Sequence, residues 1–230
     1  MSSTALRLVL AIAYPLLAHW ASHGGGDHAA ALALLDLVLL VLADGLLQRR
    51  VWAWSLLFAS VLGLWRLAGT PALQLLLLAP PMLFTGLLAW LFARSLASPR
   101  GALITRIVAA MEQCEPAQLA PELHRYSRRL TAAWAWLLAG LTVANGTLAL
   151  IAVPDGVLAR LGHAPMITVP QEQWSWFANI LNYGIVGGFF VGEYALRRRW
   201  FPVRPYRNFI DFLRRMAALG PRFWRELFEA

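Results

Sequence analysis

Charge is scarce in this chain of 230 residues: acidic and basic side chains together make up 14% of it, against the roughly 25% of ordinary soluble domains. Cysteine is scarcer. Cys114 stands alone, so no internal disulfide can form and no Cys-x-x-Cys metal pair is present. A glycine-rich phosphate loop is missing as well. Hydrophobic residues, by contrast, reach 59%, with a mean hydropathy of +0.57. Together these features exclude a disulfide scaffold, a collagen, a disordered chain and a water-soluble globule. The apolar excess falls in long blocks, which indicates membrane spans and not one large core.

Six such blocks cover residues 4–21, 29–47, 51–67, 71–93, 131–153 and 174–196. Each approaches the roughly 20 residues needed to cross a bilayer at about 1.5 Å per residue. The first could be mistaken for a signal peptide because Arg7 precedes its apolar run. It lacks a convincing small-x-small cleavage site and five more blocks follow, so a retained span is expected. All twenty basic residues are arginine, and with six spans eighteen fall on one side, leaving only Arg66 and Arg160 on the other. The positive-inside rule then places both termini in the cytoplasm. The expected fold is an all-α, polytopic membrane helical bundle that crosses the membrane several times. Residues 1–93 form four spans, 94–130 a cytoplasmic amphipathic loop, 131–196 two spans, and 197–230 a basic amphipathic cytoplasmic tail.

The loop and the tail are too short to bury cores of their own. Both carry helical periodicity. Leu103, Ile104, Ile107, Val108 and Met111 share one face in the loop, as do Phe209, Phe212, Leu213 and Met216 in the tail. Helices of this kind lie along a membrane surface or pack under a bundle, and could also dock a cytosolic partner. The eleven tryptophans cluster near the predicted span ends, as an aromatic belt does, and the arginines flank spans; nucleic-acid binding is therefore not expected.

Polar groups within the hydrocarbon are the strongest functional pointers, because a charge near a span centre costs about 2.5–3.5 kcal/mol. Asp36 and Asp44 in the second block and Glu193 in the sixth qualify. Asp44 and Glu193 lie near the cytoplasmic end, where Arg49, Arg50 or Arg197 could neutralise them. On an ideal helix Asn179, Asn182 and Glu193 fall on one stripe, facing either other helices or a polar cavity for the headgroup of a lipid-linked or acyl substrate. Asn145 and Thr142 in the fifth block, Gln74 in the fourth and Tyr14 in the first could join the same interior. Gly184, Gly188 and Gly192 recur every fourth residue, a face suited to close helix packing within the chain or between two copies of it. At the outer mouth His19 and His23 stand one turn apart and His28 follows. That spacing can hold a metal, but three glycines loosen it, and neither a metal site nor a cofactor is expected.

Several segments resemble a known family. Thr105-Arg106, then Tyr126-Ser127-Arg128-Arg129, Asn179 and Asn182 within Phe177-Ala178-Asn179-Ile180-Leu181-Asn182-Tyr183, Glu193-Tyr194, and Arg197-Arg198-Arg199-Trp200 are similar to motifs of bacterial inner-membrane proteins found with the machinery for aryl polyene pigments of the xanthomonadin type. The resemblance covers mainly residues 100–215, and it implies a pathway, not a reaction. Its implied partners are membrane lipids and, at the cytoplasmic face, an acyl carrier or other pigment-pathway proteins. A condensing-enzyme role is not expected, since Cys114, His124 and His163 have no strand scaffold to assemble them. The resulting expectation is an accessory component that holds or passes an acylated intermediate. The alternatives are a lipid or polyene transporter, favoured by the intramembrane acids, and a membrane transferase, for which no catalytic constellation is found.

Overall fold

The computed structural model of the chain describes residues 3–163, 165–201 and 207–228. Leucine and alanine dominate the apolar blocks, and both enter helices at low cost. The chain accordingly folds as α1 (Ser3–Trp20), α2 (Gly26–Leu47), α3 (Val51–Leu67), α4 (Pro71–Ser95), α5 (Leu103–Met111), α6 (Pro121–Ile151), α7 (Val157–Arg160), α8 (Gln171–Trp176), α9 (Asn182–Trp200), α10 (Phe209–Ala218) and α11 (Gly220–Phe228). Helix accounts for 82% of it. Strand among the described residues is a two-residue parallel pairing of β1 (Ala152–Val153) with β2 (Val169–Pro170).

Among the described residues three helices are long and apolar enough to cross a membrane: α2, the Leu75–Ser95 part of α4, and α6. Large apolar side chains stand exposed along the helices, among them Val51, Phe58 and Trp65 on α3, Leu83 and Phe84 on α4, and Trp136 and Val143 on α6. Apolar surface of that extent on long helices marks a membrane protein, because water would oppose it and lipid does not. The first and third apolar blocks give helices of 18 and 17 residues, shorter than those three. The sixth block is not one regular helix: α8 passes through a π-helical turn, Phe177–Leu181, into α9.

One boundary differs from expectation. Helix α6 begins at Pro121, ten residues before the fifth apolar block, so the end of the 94–130 segment from Pro121 onward is part of it. Proline at the first helical position with Glu122 in the first turn is a strong helix start, and it outweighs the polarity of the residues that follow.

The chain forms two compact units, residues 1–82 with 143–184 and residues 83–142 with 185–230. The core of the first is built on alanine: Ala18 of α1 meets Ala29, Ala30 and Ala33 of α2, with Tyr14, Leu34, Leu73 and Leu77 around them. Side chains this small let two helices approach closely. At the α2–α3 turn the spacing is tighter still. A Cβ on Gly45 would stand 2.7 Å from the Cβ of Ala53, so only glycine fits there.

In the second unit α5 is fastened to α6 by hydroxyl groups. Thr105 and Ser127 are hydrogen-bonded at 2.9 Å, the Thr131 hydroxyl donates to the Ser127 carbonyl at 2.9 Å, and the Ile104 N–H donates to Thr131 Oγ1 at 3.2 Å. Helix α10 starts where the Asn208 side chain accepts from the Asp211 N–H at 2.9 Å. Its Phe212 buries against Met111 of α5, with Phe190, Tyr194 and Phe209 alongside. The apolar faces expected in the loop and tail are thus the faces by which α5 and α10 pack, except that Leu213 of the tail is exposed.

Candidate functional site

The polar centre of the second unit lies on α9. Glu193 and Arg197 are one helical turn apart and both buried; Arg197 Nε stands 3.1 Å from Glu193 Oε1, and its Nη2 donates to Oε2 at 3.3 Å. The Tyr126 hydroxyl of α6 donates to Glu193 Oε1 at 3.0 Å. On its other side the Arg197 guanidinium covers the Phe212 ring at 4.9 Å, a cation–π contact. A buried ion pair gains net stability only when further hydrogen bonds satisfy it, and Tyr126 supplies one here.

This cluster borders two spaces. The larger is an open groove of about 780 Å³ along α6 and α9. Leu130, Ala133, Phe189 and Leu196 give it apolar walls, Tyr126, Trp200 and Phe201 line it further, and Glu122, Arg125 and Arg129 bring charge to it. The Arg125 and Arg129 side chains are exposed. The smaller space, about 280 Å³, is lined by Phe92, Met111, Trp134, Phe212 and Met216 and also reaches Glu193 and Arg197. Leu130 and Glu193 line both spaces. An amphiphile fits such a groove: its chain would lie on the apolar walls and an anionic end would meet the two arginines.

Gly192 is part of the groove wall, and a Cβ placed there meets nothing within 4 Å. The same holds for Gly184 and Gly188. Among the described residues nothing packs on these glycines, whereas Ala18, Ala29 and Ala33 form a small-residue seam in the first unit.

The stripe expected from Asn179, Asn182 and Glu193 is also divided. Asn182 Nδ2 donates to Asn145 Oδ1 and to the Ala178 carbonyl, each at 3.1 Å, while Asn179 Nδ2 donates to Ser175 Oγ at 3.3 Å. All four side chains are buried in the first unit, whereas Glu193 belongs to the second. The π-helical turn accounts for the difference, because its wider repeat rotates Asn179 away from the direction that 100° per residue assigns to it. Asn182 therefore joins α9 to α6, Asn179 bonds within its own helical segment, and the groove is built from other residues.

The other candidates are placed as follows. Asp44 accepts from Arg7 Nη2 of α1 at 2.7 Å. Asp36 is buried on α2, and Thr142 bonds Thr85 at 2.9 Å. His19 Nδ1 lies 3.0 Å from Ser175 Oγ with its ring edge-on to Trp176, and His28 is exposed. The side chains of His23 and Gln74 lie outside the described residues. Of the family-motif residues, Thr105 fastens α5, Arg128 Nη1 donates to the Leu96 carbonyl at 3.0 Å, Tyr194 packs on Phe209 at 5.0 Å, and Arg198 is exposed. Arg106 holds the end of α11, Nη1 donating to the Leu227 carbonyl at 3.0 Å and Nη2 to the Glu226 carbonyl at 2.8 Å. Burial first, and then the charge of Arg100, push its guanidinium below the ordinary arginine value, with Glu226 opposing.

Sequence reasoning missed Arg125, Ser127 and Ser175 as working residues. Arg125 had a signal, since it precedes Arg129 by four residues and Pro121 marks the helix start that places both on one face. Ser127 and Ser175 had none, because a serine shows its bonding partner only in three dimensions. No protein family, curated protein or solved structure matches this chain.

Proposed function

We propose that this chain is a multi-pass protein of the bacterial inner membrane, with six spans and both termini in the cytoplasm, that holds or passes an acylated intermediate as an accessory component of aryl polyene-type pigment lipid biosynthesis. The observation that carries the holding role is the groove along α6 and α9: about 780 Å³, apolar along its walls, with Arg125 and Arg129 at its exposed edge. A chain several carbons long gains about 0.8 kcal/mol for each methylene it buries there, and the arginines favour an anionic end such as a carboxylate or phosphate. Eighteen arginines on one side of the six-span arrangement would place that end at the cytoplasmic leaflet. The pathway rests on the resemblance of residues 100–215.

Two experiments separate the parts of this reading. Deleting the gene and extracting pigment tests the pathway; pigment unchanged in amount, chemistry and location removes it. Titrating the purified chain in lipid nanodiscs with a fluorescent long-chain acyl phosphate tests the holding role. Saturable binding that Gly192→Phe abolishes supports the groove, and binding that ignores this substitution removes it.

A further inference from the structure

A second polar feature lies in the first unit, and none of its residues lines the groove. Between Ala29 and Ala43 of α2 the only residue that is not alanine, leucine or valine is Asp36, seven positions from either end. At about 1.5 Å per residue it stands about 10 Å from the nearer polar end of that stretch, well inside the part of α2 that is long and apolar enough to cross a membrane. An acid there is costly and persists where it works.

Asp36 is 6% exposed, and no described group hydrogen-bonds its Oδ2. Tyr14 of α1 is 7% exposed, and no described group hydrogen-bonds its hydroxyl. The two interact electrostatically, and Tyr183 at the start of α9 acts on Tyr14 as well. The surroundings of Tyr14 are apolar, formed by Ala18, Ala33, Leu34 and Leu77. Of the cations on the helices packed with α2, Arg7 of α1 is held by Asp44, and Arg66 of α3 is exposed and lies against the Trp65 ring. His19 of α1 is engaged by Ser175. Among the described residues Tyr14 faces this acid from α1, and Tyr183 faces Tyr14.

In the structure neither buried polar atom is bonded to the other or to any described group, yet an acid and a phenol on adjoining helices can pair in either protonation state. A carboxylate accepts the phenol O–H; a carboxylic acid donates its own O–H to the phenol oxygen. The phenol keeps its proton throughout and only reverses its role, and the proton gained or lost resides on the Asp36 carboxyl. We propose that Asp36 and Tyr14 form a proton-binding site within the membrane-spanning part of the first unit. Neither residue touches the groove, so this site stands or falls apart from the acyl-holding role.

Infrared difference spectroscopy of the full chain in lipid bilayers, recorded as the pH is stepped, reads the site directly. The expected result is a carbonyl band of a protonated carboxyl that grows as pH falls, is lost in Asp36→Asn, changes frequency in Tyr14→Phe and survives in Glu193→Gln. Wild-type chain carrying heavy carbon in its aspartate carboxyls guards against a misfolded variant, since the band must then shift without any substitution. A band that does not shift on labelling, a band of constant intensity at every pH, or no such band at all would each overturn the proposal.

Discussion

Glu193 and Arg197 share one turn of α9 as a buried ion pair, with 3.1 Å between Oε1 and Nε, and Tyr126 completes it from α6. Removing one partner leaves the other charge buried without compensation, which costs about 3–5 kcal/mol. Arg197→Met and Glu193→Gln should each lower the unfolding midpoint of the detergent-solubilised chain by that order. The double variant should recover most of the loss, since no charge is then stranded. Thermal melts of the four proteins form a double-mutant cycle. Additive losses would show that the pair is not coupled.

Gly192 gives a separable test of the groove. Alanine there meets no neighbour and removes the entropy that glycine brings to a helix, so Gly192→Ala should stabilise by about 0.5–1 kcal/mol. Phenylalanine at the same place occupies the groove and should weaken acyl phosphate binding at least tenfold, about 1.4 kcal/mol, with the melt little changed. Charge is tested at the edge: Arg125→Gln and Arg129→Gln should each cost about 1 kcal/mol toward an anionic amphiphile and little toward a neutral one. Equal losses for both ligands would mean that the arginines do not read the headgroup.

Much of the helical architecture was legible because composition and periodicity are local properties. The apolar blocks, the faces of α5 and α10, and the Glu193–Arg197 pairing all follow from spacing along one helix. What was not legible depends on register or on distant chain. The π-helical turn at Phe177–Leu181 has no residue signature, yet it redirects Asn179 and Asn182 toward Ser175 and Asn145. Asp44 bonds Arg7, 37 positions away on α1. The groove needed the early start of α6 at Pro121, which turns a presumed loop into the wall that carries Arg125 and Arg129.

The bond between Thr105 and Ser127 predicts a structural role for two family-motif residues. Thr105→Val keeps the shape and deletes the bond, leaving the Ser127 hydroxyl with its donation to the His124 carbonyl. A loss of about 1 kcal/mol in thermal stability is expected, with groove binding retained because neither residue lines it. Ser127→Ala combined with Thr105→Val should cost less than the two separate losses added together. A large loss of binding at unchanged stability would instead place Thr105 in the site.

The tail helix should respond to acid. The Asp211 carboxylate accepts from the Arg207 N–H at 2.9 Å and from Arg215 Nε at 3.4 Å, and the backbone bond, aided by the arginines, holds it below the usual carboxylate range. For an acid depressed in the folded state, the stabilisation is complete above its unfolded value, near pH 4, and disappears as pH falls through the lower folded value. Helix α10 should therefore loosen from α5 below about pH 4 and not at neutral pH. Amide hydrogen exchange across residues 209–218, corrected for the intrinsic rate, measures this directly. Protection that falls only at acid pH in the wild type, and is already reduced and insensitive to acid in Asp211→Asn, is the expected pattern. Identical profiles for the two proteins would show that the tail is held by Phe212 and its aromatic neighbours alone.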